Sequence, residues 1–223
     1  LVKYLTNQMR KLKVDVRVCK EASITDIEDL KPDAVIFASG STDSVPEIAQ
    51  DHPGVMTFTN ASRHPRAIGH RVIIMGIFGS ELAIHLAETG HDVSLIAKSG
   101  ESSIGSDIAW TRRFWLLRKL TSFNLVRESI ESTRVTNPKV YFNTSVTKIG
   151  HGILIIENKD GLKEEIPYDT VIPVQRFGER KVDDSLFTAC KSQVSEVYKI
   201  GDCNKVRDIK DAVWEANEVA RKI

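Results

Sequence analysis

The stretch RVIIMGIFGSELAIHLAETGHDVSLIAK, residues 71–98, decides how this chain is read. Val72–Met75 is a short apolar run that meets two glycines, Gly76 and Gly79. A segment with apolar residues at helical spacing follows and stops at Gly90, a residue free to take the left-handed conformation that ends helices. Val93–Ile96 is a second apolar run. Strand, glycine turn, helix and strand make a nucleotide-binding β-α-β pattern, but a dinucleotide turn usually spells G-x-G-x-x-G. Only two glycines stand in this one. Read from the strand side, Gly76 takes the place of the first glycine. Read from the helix side, Gly79 is the third and Gly76 the middle one. By either count the loop falls two residues short, and Ile77 and Phe78 bring bulk to the place where phosphates would sit.

Upstream, Leu1–Lys13 repeats apolar positions at helical spacing, and VDVRV (14–18) predicts a short strand. SITDIEDL predicts a short acidic turn stopped by Pro32, and DAVIFASG an apolar parallel strand ending on small residues. Pro46, Pro53 and Pro65, with Gly54 and Gly69, punctuate a connector over 41–70. Downstream, SDIAWTRRFWLLRKL predicts a helix whose Trp110, Phe114 and Trp115 read as core residues ahead of a stacking surface. Residues 140–174 predict a β-meander closed by the apolar strand Thr170–Val174. The tail predicts a strand, EVYKIGDC, and then a helix from about Ile209. The order implies an α/β chain of two Rossmann-like units, the second inserted in the first, together with the meander.

Composition narrows the function classes. Thirty-one basic and thirty acidic side chains among 223 residues leave a net charge of +1, which gives no electrostatic pull toward nucleic acid or an anionic membrane. No apolar run reaches the length of a membrane span, and the first residues are not a signal peptide. The chain begins at Leu1 and reads as a fragment or a processed piece. Its three cysteines form no C-x-x-C pair, which fits a reducing, cytoplasmic setting and offers no dithiol or zinc knuckle. The six histidines show no metal-ligand spacing, so no metal site is expected. No nucleophile elbow or catalytic triad is present, and the catalytic residues stay unassigned.

Three separated segments then fall in register: DAVIFASGS (33–41), GSELA (79–83) and VYKIGDCNKVRDIKDAVWEANEVARKI (197–223). In this order and spacing they resemble two-dinucleotide-binding flavoproteins. More narrowly they are similar to the C-terminal region of the family of 2,4-dienoyl-CoA reductase, 2-enoate reductase and trimethylamine dehydrogenase. The resemblance implies an FAD-type domain over 1–68 and 172–223, with an NAD(P)H-type domain inserted over 69–171. Hydride would pass from NAD(P)H to FAD, and from there to a centre in a missing part of the enzyme.

The resemblance also implies site residues. Gly76, Gly79, Glu81 and Lys98 would serve the nicotinamide cofactor. Gly40, Gly201, Asp202 and Ala212 would serve FAD. Ala97 and Lys98 stand where an NAD site places an acid, which tilts the choice toward NADPH. Lys98 also reads as an ordinary solvated residue, Glu81 as a first-turn acid on the helix dipole, and Gly201-Asp202 as a capped turn. Pro173-Val174-Gln175 replaces a small-residue turn of the family and would alter the contact between domains. The FAD entry turn and a barrel carrying FMN and an iron–sulfur cluster would lie in the missing N-terminal part, so this chain alone is not expected to hold FAD tightly. The partners implied are nucleotide cofactors and that barrel. Two other readings stay open: a degenerate Rossmann-type module without turnover, and a complete but divergent quinone or thiol reductase, against which the missing dithiol argues.

Overall fold

The stretch that opens the reading folds as its pattern demands. In the computed structural model, which describes residues 2–121, 137–174 and 181–223, it forms a strand, a tight turn, a helix and a second strand, parallel to the first. Along the chain, α1 (Val2–Lys11), α2 (Ile24–Leu30), β1 (Ala34–Phe37) and α3 (Phe58–Arg63) come first. Then follow β2 (Arg71–Met75), α4 (Ser80–Glu88), β3 (Asp92–Ile96) and α5 (Trp110–Leu120). Four strands come next: β4 (Lys139–Tyr141), β5 (Thr144–Ile149), β6 (Ile153–Asn158) and β7 (Lys163–Pro167). β8 (Thr170–Pro173), α6 (Ser185–Cys190), β9 (Glu196–Lys199) and α7 (Ile209–Ala220) complete the order.

Two compact units result: residues 1–39, 183–204 and 208–223 in one, and 40–182 with 205–207 in the other. The second unit starts upstream of the expected boundary at 69 because backbone pairing holds it there. Thr42 bridges Lys181, Val55 bridges Val171, and the Met56 amide donates to the Val171 carbonyl.

The second unit is built on a parallel sheet of order β4-β3-β2-β8. Its central strand β2 has side chains buried on both faces, as parallel strands between two layers do. Val72 and Ile74 point to a core shared with α3, α4 and α5, alongside Leu95, Ile84 and Leu116. Ile73, on the alternate face, packs with Val171, Leu154 and Ile166 under the antiparallel meander β5-β6-β7. That period of two is why the sequence reads as an unbroken apolar run. Tyr168 belongs to the same layer; its hydroxyl donates to the Gly150 carbonyl at 2.6 Å, and burial pushes its pKa up.

The first unit is thinner. β1 pairs in parallel with β9, and the two are all of its sheet among the described residues. α2 is held by a capping box in which Ser23 and Asp26 satisfy each other's backbone amides, so the segment read as a short turn is a helix. VDVRV is not a strand. Val14, Val16 and Val18 are exposed, and a strand needs a neighbour for its backbone groups that this unit does not supply among the described residues. α1 buries none of its side chains, and Ile36 in β1 is 42% exposed, against the buried strand the sequence suggests. Trp110 (66%), Phe114 (43%) and Trp115 (42%) in α5 of the second unit are also exposed, where core packing was expected; Leu116 and Leu120 fill that role instead. Gln175 lies outside the described residues.

At the amino end of β2, the Asp169 carboxylate accepts from the Arg71 amide at 2.8 Å and from its guanidinium, which holds the carboxyl down at about 2. An unfolded Asp titrates near ~3.9. Because the folded value is depressed, the stabilisation is complete above the unfolded value and is lost as pH falls through the folded one. Denaturation of the wild type and Asp169→Asn should therefore differ most above about pH 4, with the difference shrinking toward pH 2.

Candidate dinucleotide edge

The carboxyl ends of the parallel strands line one edge of the second unit, and open α/β sheets bind ligands at such an edge. Register brings its pieces side by side. Met75 at the end of β2 faces Ile96 in β3 and Pro173 in β8, and Ile96 faces Tyr141 in β4. The next residue of each strand, respectively Gly76, Ala97, Val174 and Phe142, begins the loops of this edge.

Geometry separates the jobs of the two glycines. Gly76 has φ +114°, and a side chain there would put its Cβ 2.2 Å from the Val174 carbonyl oxygen. Its amide is already used, donating to the Ile96 carbonyl at 2.8 Å. Gly79 lies where α4 meets the sheet; a Cβ there would come within 2.2 Å of Ile74 Cγ2. That is the helix–strand packing role of the third glycine in a dinucleotide turn, so the count from the helix side fits the geometry. Ile77 packs against the core, whereas Phe78 stays 41% exposed. α4 starts without a side-chain cap, its N-cap being Gly79, although Ser80 donates from both its amide and its hydroxyl to Ile77 O.

Glu81, in the first turn of α4, has both carboxylate oxygens bound by the Arg112 guanidinium from α5. The pair raises the Arg112 pKa, chiefly through these hydrogen bonds, and lies half exposed, where an ion pair adds little to stability. Nothing in the sequence pairs two residues thirty-one positions apart; only the parallel packing of α4 and α5 does, and Glu88 with Lys119 repeats the offset. Lys98 follows β3 and is exposed, next to the fully buried Ala97.

The remaining predicted residues fall elsewhere. Gly40 has φ +74° and open space where a Cβ would stand. Gly201 has φ +65°, a Cβ there would lie 3.3 Å from Ala212 Cβ, and its amide donates to Glu215 Oε2 at 2.7 Å. The second oxygen of Glu215 accepts from Asn204 Nδ2 at 3.1 Å, so this acid, which sequence reasoning passed over, fixes the Gly201–Asn204 turn. Asp202 is half-buried within that turn. Asp208 caps α7 by accepting from the Asp211 amide. Cys203 is a packed small residue, its thiol donating to the carbonyls of Phe37 and Ile200. No group of histidine, cysteine and carboxylate side chains among the described residues is placed to hold a metal, and no described helix is long and apolar enough to cross a membrane.

At the nicotinamide edge α4 starts without a side-chain cap and a cation rather than an acid follows β3, which suits a phosphate, although the Gly76 and Ser80 amides are already taken. For FAD the donors present do not suffice. The Gly201 amide is taken, α7 is capped, and the described part of the first unit has no glycine-rich strand-turn-helix.

No family model matches the chain. Bilirubin reductase from Mediterraneibacter gnavus is 32% identical over 96% of the chain. Cinnamate reductase from Clostridium sporogenes is 24% identical over all of it. The chain is homologous to the C-terminal region of this reductase family. It spans 31% of the length of each of those two relatives. The fold agrees: a 2-naphthoyl-CoA reductase superposes over the whole chain with a TM-score of 0.82 at 24% identity, and a histamine dehydrogenase from Rhizobium over 92% with 0.67 at 21%.

Both glycines are demanded by the fold itself. Gly76→Ala and Gly79→Ala should each lower stability by roughly 1–3 kcal/mol, the range for a strained backbone or an overpacked site. Chemical denaturation followed by tryptophan fluorescence would measure it; a neutral Gly79→Ala would show that α4 does not press on Ile74.

Proposed function

We propose that this chain is the nucleotide-binding C-terminal region of a flavin-dependent, NAD(P)H-linked oxidoreductase. The second compact unit is the NAD(P)H-type domain, and the first is the remainder of an FAD-type domain. The observation that carries the reading is the convergence on one sheet edge of the glycine turn, the uncapped start of α4 and Lys98 at the end of β3.

When bound, the nicotinamide would supply hydride and the flavin would accept it; the protein's part is to bind and orient. The positive end of α4 would face the pyrophosphate, although its first amide, that of Ser80, already donates to Ile77 O, and Lys98 with Ser99 would meet a 2′-phosphate, which favours NADPH. Glu81, whose carboxylate is held by Arg112, would stand at the nicotinamide side, as the resemblance implies. Gly201, Asp202 and Ala212 would serve FAD only once the rest of a longer protein completes the first unit; Gly40, which begins the second, is assigned to FAD by the resemblance alone. The uncovered apolar residues of α1 and of Val14–Val18 support that incompleteness. Substrate contacts and any FMN or iron–sulfur centre belong to that other part, a barrel in the family this chain resembles.

A second reading, a Rossmann-type module without turnover, is favoured by specific observations. The Gly76 amide is spent on Ile96, Phe78 sits in the turn, and both oxygens of Glu81 are engaged.

Titration of the purified chain with NADPH, NADH and FAD, followed by tryptophan fluorescence, separates the two. The first reading expects saturable NADPH binding that Lys98→Glu weakens by about tenfold or more with little change for NADH, as loss of a phosphate contact would. It expects no tight FAD binding by the chain alone. A flat response to both nicotinamide cofactors would leave the second reading standing.

A further inference from the structure

A residue with no role so far fixes the loop that carries Lys98. Lys98, Ser99 and Gly100 leave the end of β3 and would be free to swing if nothing held them. The corner between β4 and β5 holds them. The Ala97 amide donates to the Tyr141 carbonyl at 2.9 Å, and the Thr144 amide donates to the Ala97 carbonyl at 3.0 Å. The Asn143 amide then donates to the Ser99 carbonyl at 3.2 Å. Asn143 sits at φ +50°, in the left-handed region that asparagine tolerates better than almost any other side chain. Its carboxamide lies beside Gly100, where an added Cβ would fall 3.4 Å from Asn143 Oδ1. The corner therefore grips the loop by its backbone on both sides of Lys98.

We propose that Asn143 is a positioning residue for cofactor selectivity: it clamps the Lys98–Gly100 loop so that the Lys98 ammonium meets the 2′-phosphate of NADPH. This rests on the reading of the second unit as an NAD(P)H-type domain and goes a step further, naming a residue that positions the lysine on which the choice between the two cofactors depends. Asn143 touches no cofactor atom itself. It acts through the loop, so its effect depends on Lys98 and on the phosphate.

The test uses the 223-residue chain and five variants, with NADPH and NADH affinities read by fluorescence titration and folding checked by circular dichroism. Asn143→Val cannot hold the left-handed corner easily and should weaken NADPH by about tenfold while leaving NADH unchanged. Asn143→Gly keeps the corner and its amide, and should stay within about twofold of the wild type for both cofactors. In a Lys98→Ala background Asn143→Val should change the NADPH-to-NADH ratio no further, because the two residues act as one. Should the valine variant not fold, Asn143→Asp decides, since aspartate tolerates the same backbone but sets a negative charge beside the loop; it should lose NADPH selectively. Equal loss of both cofactors in the valine variant, or an unchanged ratio in the aspartate variant, overturns the inference and leaves the NAD(P)H reading intact. A wild type that binds neither cofactor overturns both.

Discussion

Everything in the larger unit leans on the contact between Gly79 and Ile74. α4 reaches the sheet only because position 79 has no side chain, and Ile74 fills the space a Cβ would occupy. That approach sets the height of α4 over β2 and closes the core around Leu95, Ile84 and Leu116. It also fixes the length of the turn at Gly76–Gly79. The Gly76 amide is then drawn onto Ile96, which ties the end of β2 to the end of β3. One packing constraint thus sets the sheet edge where Lys98 and its loop begin.

The same constraint explains how much was legible in the sequence. A strand buried on both faces must be apolar at every position, so β2 and β3 announced themselves, and Gly90 marked the end of α4 because φ +99° suits glycine alone. The meander was visible through its turns at Gly152 and Gly161, both of which take positive φ. What failed was burial that depends on neighbours. VDVRV alternates as a strand should, yet alternation specifies only a face, and no described strand receives its backbone groups. Trp110, Phe114 and Trp115 have the size of core residues, but the helix turns Leu116 and Leu120 inward and leaves the rings outside. Period and composition cannot tell which of two apolar stripes a helix buries when both are present.

The candidate site was legible in part, and for a related reason. Residues that lie at strand ends, such as Gly76 and Lys98, follow from local order. Those that act across the fold do not: Arg112 meets Glu81 through parallel helices, Glu215 meets Gly201 through the fold of the tail, and Asn143 meets Ser99 through a corner between sheets. Each is polar, exposed or half-exposed, and unremarkable in its own stretch of sequence. Their shared trait is that each satisfies backbone or charge at a position the chain order had already marked.

That division bears on whether this turn binds or merely packs. A glycine kept for a ligand should leave space around its absent side chain, and a glycine kept for the fold should not. Gly76 and Gly79 both meet protein atoms at distances no Cβ could tolerate, so their presence is accounted for by packing before any phosphate is considered. The weight of the nucleotide reading therefore shifts from the glycines to the parts of the edge that packing leaves unexplained. These are the uncapped helix start, the lysine where an acid would select the other cofactor, and the corner that grips its loop. That loop is held by three backbone hydrogen bonds, at Ala97 and Ser99, and the Ala97 pair continues the β3–β4 ladder, so it is the Asn143–Ser99 bond, rather than the glycine turn, on which a test of retained binding turns.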